Sequence, residues 1–158
     1  MALVLLSLTL ATVTASPSSV VPVAEAPAKL TVPEGFTIRP YLPKGIFRPT
    51  SIAFDSNDRL YVANRDGLVY LVEDRDQDGI GDDVTLFGSK EAPALGVAVS
   101  LDDRTVYLAG GGQVWMLEDL DLDGTVDFQR LIIDGLPSFT YDAHSNNGIA
   151  VGPDERLY

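Results

Sequence analysis

The apolar positions of this chain come in short runs, and the runs recur. Residues 51–54 read Ser-Ile-Ala-Phe, and 45 positions further on residues 96–99 read Gly-Val-Ala-Val. Residues 69–74, Val-Tyr-Leu-Val-Glu-Asp, return at the same spacing as Val-Trp-Met-Leu-Glu-Asp at 114–119. The polar stretches repeat too: Asp76, Asp78 and Gly79 are echoed by Asp121, Asp123 and Gly124. A third copy opens at Gly148–Val151, 52 positions after the second. Each run is too short for a helix, is rich in Val, Leu and Tyr, and is bounded by Asn, Asp or Gly. A repeat in the forties made of several such strands predicts an all-β fold, a β-propeller with one blade per repeat.

The pattern divides each blade into four strands. In blade one, about 49–88, the predicted strands are 51–55, 59–63, 68–73 and 83–87. The first is uniformly apolar at Ile52, Ala53 and Phe54, as expected of an innermost buried strand. Asp66-Gly67 marks a hairpin turn. Blade two, about 94–134, repeats the plan at 95–99, 105–109, 113–117 and 128–133. Blade three is represented by its start, about 148–158, with the turn Gly152-Pro-Asp154. Alternation of Phe36, Ile38 and Tyr41 predicts a leading edge strand over 35–41. A ring needs roughly four to eight blades, so about two and a half are expected to form the N-terminal part of a longer propeller spanning 34–158 and beyond.

Upstream of the repeats the pattern changes. Residues 1–15 hold an apolar, small-residue run, with Val13 and Ala15 suited to the positions before a cleavage site, and predict a secretory signal peptide. The run is shorter than the ~20 residues a bilayer requires, so no membrane insertion is expected after cleavage, and the protein is expected to be secreted or periplasmic. Residues 16–33 are rich in Pro, Ala, Ser and Val without a period and read as a disordered spacer. Among 158 residues there are 23 acidic and 11 basic side chains, a formal charge of −12. Such a surface repels phosphate backbones and argues against nucleic acid as a partner. The chain has no cysteine, which excludes a thiolate nucleophile and Cys-ligated zinc.

Two stretches carry candidate chemistry. Asp74, Asp76, Asp78, Gly79 and Asp82 recur as Asp119, Asp121, Asp123, Gly124 and Asp127. Carboxylates at alternate positions followed by a glycine match the front half of a calcium loop, in which side chains converge on one ion while glycine allows the sharp turn. The twelfth-place glutamate of such loops is replaced by Thr85 and Arg130, and Asp82 and Asp127 at the ninth place can substitute. Carboxylates packed together without a cation repel one another; the other reading is a solvated acidic hairpin that keeps outer edges soluble. The second stretch, Asp142–Gly148, contains the one histidine, His144, and joins the outer strand of blade two to blade three. In a propeller this connection lies on the face opposite the acidic loops. A histidine there can act as a base near neutral pH, or it can hydrogen-bond within a turn.

The stretch from Pro33–Phe36 through the acidic repeats to Gly135–Pro137, and then His144 and Asn147–Asp154, resembles the glucose/sorbosone dehydrogenase family, covering nearly all of the chain after the spacer. That resemblance implies a six-bladed propeller using pyrroloquinoline quinone (PQQ). It implies that His144, eight residues before the Gly-Pro-Asp turn, takes the hydroxyl proton of an aldose, polyol or aldehyde substrate as hydride passes to the quinone. It also implies quinone ligands beyond Tyr158 and, in some branches, a cytochrome domain as electron acceptor. The chain departs from the soluble glucose enzymes of the family: Asn146-Asn147-Gly148 stands in place of Ser-Gly-Arg, and Glu91 stands near a sugar-contacting glutamine. Residues 147–150 followed by a Pro-Asp turn also resemble gluconolactonase-like propellers, in which Asn147 would bind a divalent metal for ester hydrolysis. A third alternative is a non-catalytic propeller used as a binding module.

Overall fold

The computed structural model describes residues 20–22, 31–38, 40–42, 44–91, 93–138 and 146–158. Among the described residues it contains ten strands and no helix: β1 Val20–Pro22, β2 Lys44–Ile46, β3 Pro49–Phe54, β4 Leu60–Asn64, β5 Leu68–Glu73, β6 Asp83–Ser89, β7 Gly96–Val99, β8 Thr105–Gly110, β9 Gln113–Glu118 and β10 Phe128–Ile133. Two four-stranded antiparallel sheets follow chain order, β3-β4-β5-β6 and β7-β8-β9-β10. These are two blades of a propeller, with the strand plan expected from the repeat. The repeat is visible in the pairing itself, because Leu71 faces Thr85 in the first sheet and Met116 faces Arg130, each 45 positions on, in the second.

The middle strands β4 and β5 read as continuous apolar runs because both of their faces are covered. All five residues of β4 are buried. Tyr61 and Ala63 point toward the second sheet, where with Val69, Leu71 and Phe87 they meet Ala94, Val97, Val106, Leu108 and Leu117. Leu60 and Val62 point the other way and pack with Val72 against Tyr41, Leu42 and Ile46. Full burial of a side chain such as Leu108 or Leu117 contributes about 1.5–3 kcal/mol, so the seam between the sheets dominates the stability of this region.

Polar groups lock the same seam. The Thr50 hydroxyl donates to the Ala94 carbonyl at 2.6 Å, and Val97 N–H donates to the Ser51 hydroxyl at 3.2 Å. Asp103, buried in the β7–β8 hairpin, accepts from Ser56 N–H at 3.0 Å, from the Ser56 hydroxyl and from Asn57 Nδ2 at 3.2 Å, all in the β3–β4 hairpin. Each acidic connection leans backward onto what precedes it. Gly124, in the second, lies against Leu71 of the first sheet, and Val126 packs on Gly88. Gly81, in the first, lies against Leu42 and Tyr41.

Two expectations are corrected. The described residues of this stretch, 35–38, 40 and 41, form no strand: Phe36 is 69% exposed, Pro40 lacks a donor, and the Tyr41 carbonyl accepts from Gly81 N–H of the first acidic connection at 2.8 Å. Alternation alone does not supply a free ladder to join, and β2 instead pairs with β1, within the segment read as a spacer. The innermost strand β3 is not buried throughout, since Ile52 is 60% and Phe54 53% exposed. Only its Ser51–Ala53 side meets the second sheet, and among the described residues no strand covers the other. The opening of the third copy forms a hairpin with one bridge, Val151 to Leu157, flanked by reciprocal Ala150–Tyr158 backbone bonds of 3.0 and 2.9 Å.

Candidate functional site

The two acidic connections are built alike. Asp74–Asp82 links β5 to β6, and Asp119–Asp127 links β9 to β10. In the first, the Asp74 carboxylate accepts from Asp78 N–H at 3.2 Å and Gly79 N–H at 2.8 Å. Asp78 accepts from Ile80 N–H, and Asp82 from Arg75 N–H, each at 2.8 Å. In the second, Asp119 accepts from Asp123 N–H at 3.1 Å and Gly124 N–H at 2.9 Å, Asp123 from Thr125 N–H and Asp127 from Leu120 N–H at 2.8 Å each. Gly79 and Gly124 have φ of 83° and 87°, in the left-handed region that glycine adopts without strain.

These turns gather carboxylates. Oxygens of Asp74, Asp76 and Asp78 lie within 4.8 Å of one another, as do those of Asp119, Asp121 and Asp127. Asp82 and Asp123 fall outside these triplets. Asp119 is buried while its companions are exposed. The donors are hard oxygens around a glycine turn, a set suited to calcium rather than to a soft metal. Beside the second connection, the Tyr61 hydroxyl is buried without a hydrogen-bond partner, and burial pushes its pKa up to about 12. Nearby, Asp55 is buried against Arg59 at 2.6 Å and also accepts from Asn57 and Arg59 N–H at 2.9 Å each.

The antiparallel order puts the connections β4–β5, β6–β7, β8–β9 and the one following β10 at the opposite end of the sheets. His144 belongs to the last of these and lies outside the described residues. Its C-terminal flank is held firmly. Asn146 Oδ1 accepts from Gly112 N–H, and its Nδ2 donates to the Gln113 carbonyl, both at 2.8 Å. The Asn147 carbonyl sits against Gly96 so closely that a Cβ on that glycine would collide with it. At the same end Lys90 is buried, and its Nζ donates to the Gly110 carbonyl at 2.9 Å. With no charge to compensate for its desolvation, its pKa falls to about 8. Sequence patterning gave no sign of Lys90 or of the Asp103 latch. Glu91, by contrast, is an exposed residue of the same connection.

Two successive four-stranded antiparallel blades, joined edge to core in chain order, define a partial β-propeller of the architecture found in sugar dehydrogenases. The chain belongs to the family described as a domain of unknown function, DUF7133, which it matches over residues 22–158. No protein of curated function matches the sequence. Among solved structures, the fold is similar to the PQQ domain of pyranose dehydrogenase from Coprinopsis cinerea, with a TM-score of 0.58 at 17% identity, over 70% of this chain and 26% of that one. It is similar to the calcium structure of the Trichoderma reesei carbohydrate-active enzyme of family AA12, with a TM-score of 0.58 at 23% identity, over 70% of this chain and 28% of that one. It is also similar to a putative oxidoreductase (glucose dehydrogenase) from Thermus thermophilus, with a TM-score of 0.51 at 28% identity, over 70% of this chain and 35% of that one. The chain therefore spans about a quarter to a third of the length of these structures.

Proposed function

We propose that the protein is a sugar oxidoreductase in which His144 acts as general base on a hydroxyl of an aldose, polyol or hydrated aldehyde. The supporting observation is the pinning of Asn146 and Asn147 to the β8–β9 turn and to β7, which fixes the exit of the His144 loop at the end of the blades away from the acidic turns. A base near neutral pH must sit within hydrogen-bond reach of the proton that it removes, and a loop anchored at its exit limits where that base can go. PQQ, when bound, would supply the hydride acceptor. On this end of the described residues Lys90 is engaged with Gly110 and Arg48 with Asp66 at 3.1 Å, so neither offers a free clamp for the quinone carboxylates, and their ligands are expected elsewhere in the protein. The cation sites are assigned separately: Asp74, Asp76, Asp78 and Asp82, and Asp119, Asp121, Asp123 and Asp127, hold calcium as structural ions that tie the outer strand of each blade. The protein works outside the cytoplasm, secreted or periplasmic, and passes electrons to a cytochrome.

The test uses the intact protein purified without cofactor. PQQ and calcium are added, and dye reduction is followed with a panel of aldoses and polyols. Activity that requires the quinone and is lost in His144→Ala establishes the reading. Absence of reduction together with absence of quinone binding overturns it in favour of a non-catalytic binding module. Lactone hydrolysis abolished in Asn147→Ala but retained in His144→Ala would make the protein a metal-dependent hydrolase instead.

A further inference from the structure

The hairpin between the first two strands of each blade carries one left-handed position. Asp58, Asp103 and Glu155 fall at matching places in the three copies, 45 and then 52 positions apart, with φ of 62°, 62° and 61°. Between blades one and two, the Asp103 carboxylate takes its hydrogen bonds from Ser56 and Asn57 of the preceding hairpin. Between blades two and three the same place holds Glu155, and the residues that match Ser56 and Asn57 are Leu101 and Asp102. Neither side chain can supply a donor at neutral pH, since one is a hydrocarbon and the other a second carboxylate. In place of a latch there is a hollow of about 230 Å³, with Leu101, Asp102 and Glu155 among its walls.

The polar side chains around this hollow offer oxygen and no positive charge. Ser100 donates its hydroxyl to Asp102 Oδ1 at 2.6 Å, which holds the Asp102 carboxyl below its usual range. The neighbouring cations are turned elsewhere: the Arg104 guanidinium donates to the Leu120 carbonyl, and Arg156 pairs with Asp154 at 3.6 Å. Thr105 and Tyr107, alternate residues of β8 on the side away from the seam, also line the hollow. Thr105 is 8% exposed, and its hydroxyl makes no hydrogen bond to any described residue. A buried hydroxyl without a partner, directed into a space shared by two carboxylates, points to a ligand there. Two carboxylates in one hollow repel unless a cation stands between them. A set of carboxylate and hydroxyl oxygens, without nitrogen or sulfur, is that of a hard ion. The hollow is larger than a bare ion requires, which suits an ion that keeps part of its water. We propose that a partly hydrated divalent cation of the calcium or magnesium kind sits here, joining Asp102 to Glu155 with the Thr105 hydroxyl beside it. It does for blades two and three what the Asp103 latch does for blades one and two. The site shares no residue with the acidic turns, so either assignment can fail without the other.

The test counts ions. The intact protein is stripped with chelator and titrated with calcium and with magnesium by calorimetry. Glu155→Gln and Asp102→Asn are each expected to bind one ion fewer per chain than the wild type, or to bind that ion about tenfold or more weakly, since affinity follows the charge of the ligand set. Asp121→Asn, in the second acidic turn, leaves this equivalent in place. Asp102 and Glu155 are exposed, so neither variant is expected to unfold the chain. A further variant, Leu101→Ser with Asp102→Asn, restores opposite Glu155 the donors that Ser56 and Asn57 give to Asp103. It is expected to melt above the wild type in chelator and to lose that advantage in calcium, where the ion already joins the two hairpins of the wild type. Equal ion counts and affinities in the wild type, Glu155→Gln and Asp102→Asn overturn the proposal. An advantage of the double variant that is the same with and without calcium also overturns it, because the wild-type hairpins would then gain nothing from the ion.

Discussion

Buried charge at single positions sets the most direct expectations. Asp55 takes three hydrogen bonds, from Asn57 N–H, Arg59 N–H and Arg59 Nε, in a hairpin with its side chain withdrawn from solvent. Asp55→Ala strands the Arg59 guanidinium and two backbone donors, and is expected to lower stability by about 3–5 kcal/mol, the usual effect of breaking one half of a buried pair. Urea denaturation of the two proteins measures it. Lys90 predicts a pH effect of definite sign. Its pKa is lowered from 10.5 to about 8 on burial, so between these values the unfolded chain holds a proton that the folded one has released. Stability therefore rises with pH across that window. In Lys90→Met the contribution is absent, and the difference in melting temperature is expected to move in favour of the wild type as pH is raised from about 7 to about 10. A constant difference would show that the amine is solvated. Gly96→Ala drives a Cβ into the Asn147 carbonyl, and an overpacking cost of about 1–3 kcal/mol is expected, together with displacement of the segment after His144.

At the level of strands and turns, much was legible because the repeat is read twice. The four-strand plan of each blade and the position of both acidic turns between third and fourth strands follow from runs such as 69–74 and 114–119, whose apolar period and bounding residues coincide 45 positions apart. Other features depend on which neighbours are present, and a one-dimensional pattern does not contain them. Residues 35–41 alternate correctly for a strand, yet Tyr41 gives its carbonyl to Gly81 instead of to a ladder. Ile52 and Phe54 read as core and stand in the open, because burial on two faces requires an element on each side. The Asp103 latch joins the matching hairpins of the two repeats, and the repeat alone does not say that these turns touch. For His144, the sequence supplied the residue and the structure describes its anchored flank. The acidic turns support one further expectation. Calcium at a hundredfold excess over its dissociation constant contributes about 2.7 kcal/mol per site, so chelation is expected to lower the melting temperature. Asp121→Asn, an exposed member of the second triplet, should diminish that response with little effect in calcium-free buffer. Identical melts with calcium and with chelator would leave these turns as solvated hairpins.

Across the whole molecule, apolar surface is unevenly finished. The seam between the sheets is closed, while Ile52, Phe54 and Leu86 are each more than half exposed on the first sheet. A sheet with an open apolar face and an inner edge strand is a template for association. The 158-residue chain is expected to self-associate, and light scattering coupled to size exclusion should show the double variant Ile52→Lys, Phe54→Lys shifting toward monomer. A sharply melting wild-type monomer would contradict this. The backward lean of the acidic turns adds a sense of direction. The turn of the second blade grips the first through Leu71 and Gly88, and the turn of the first grips only the Tyr41–Leu42 segment. The assembly is thus shingled like roof tiles, each course clamped by the one after it. Under tension or digestion, loosening any one turn should release the course before it while leaving the course after it in place.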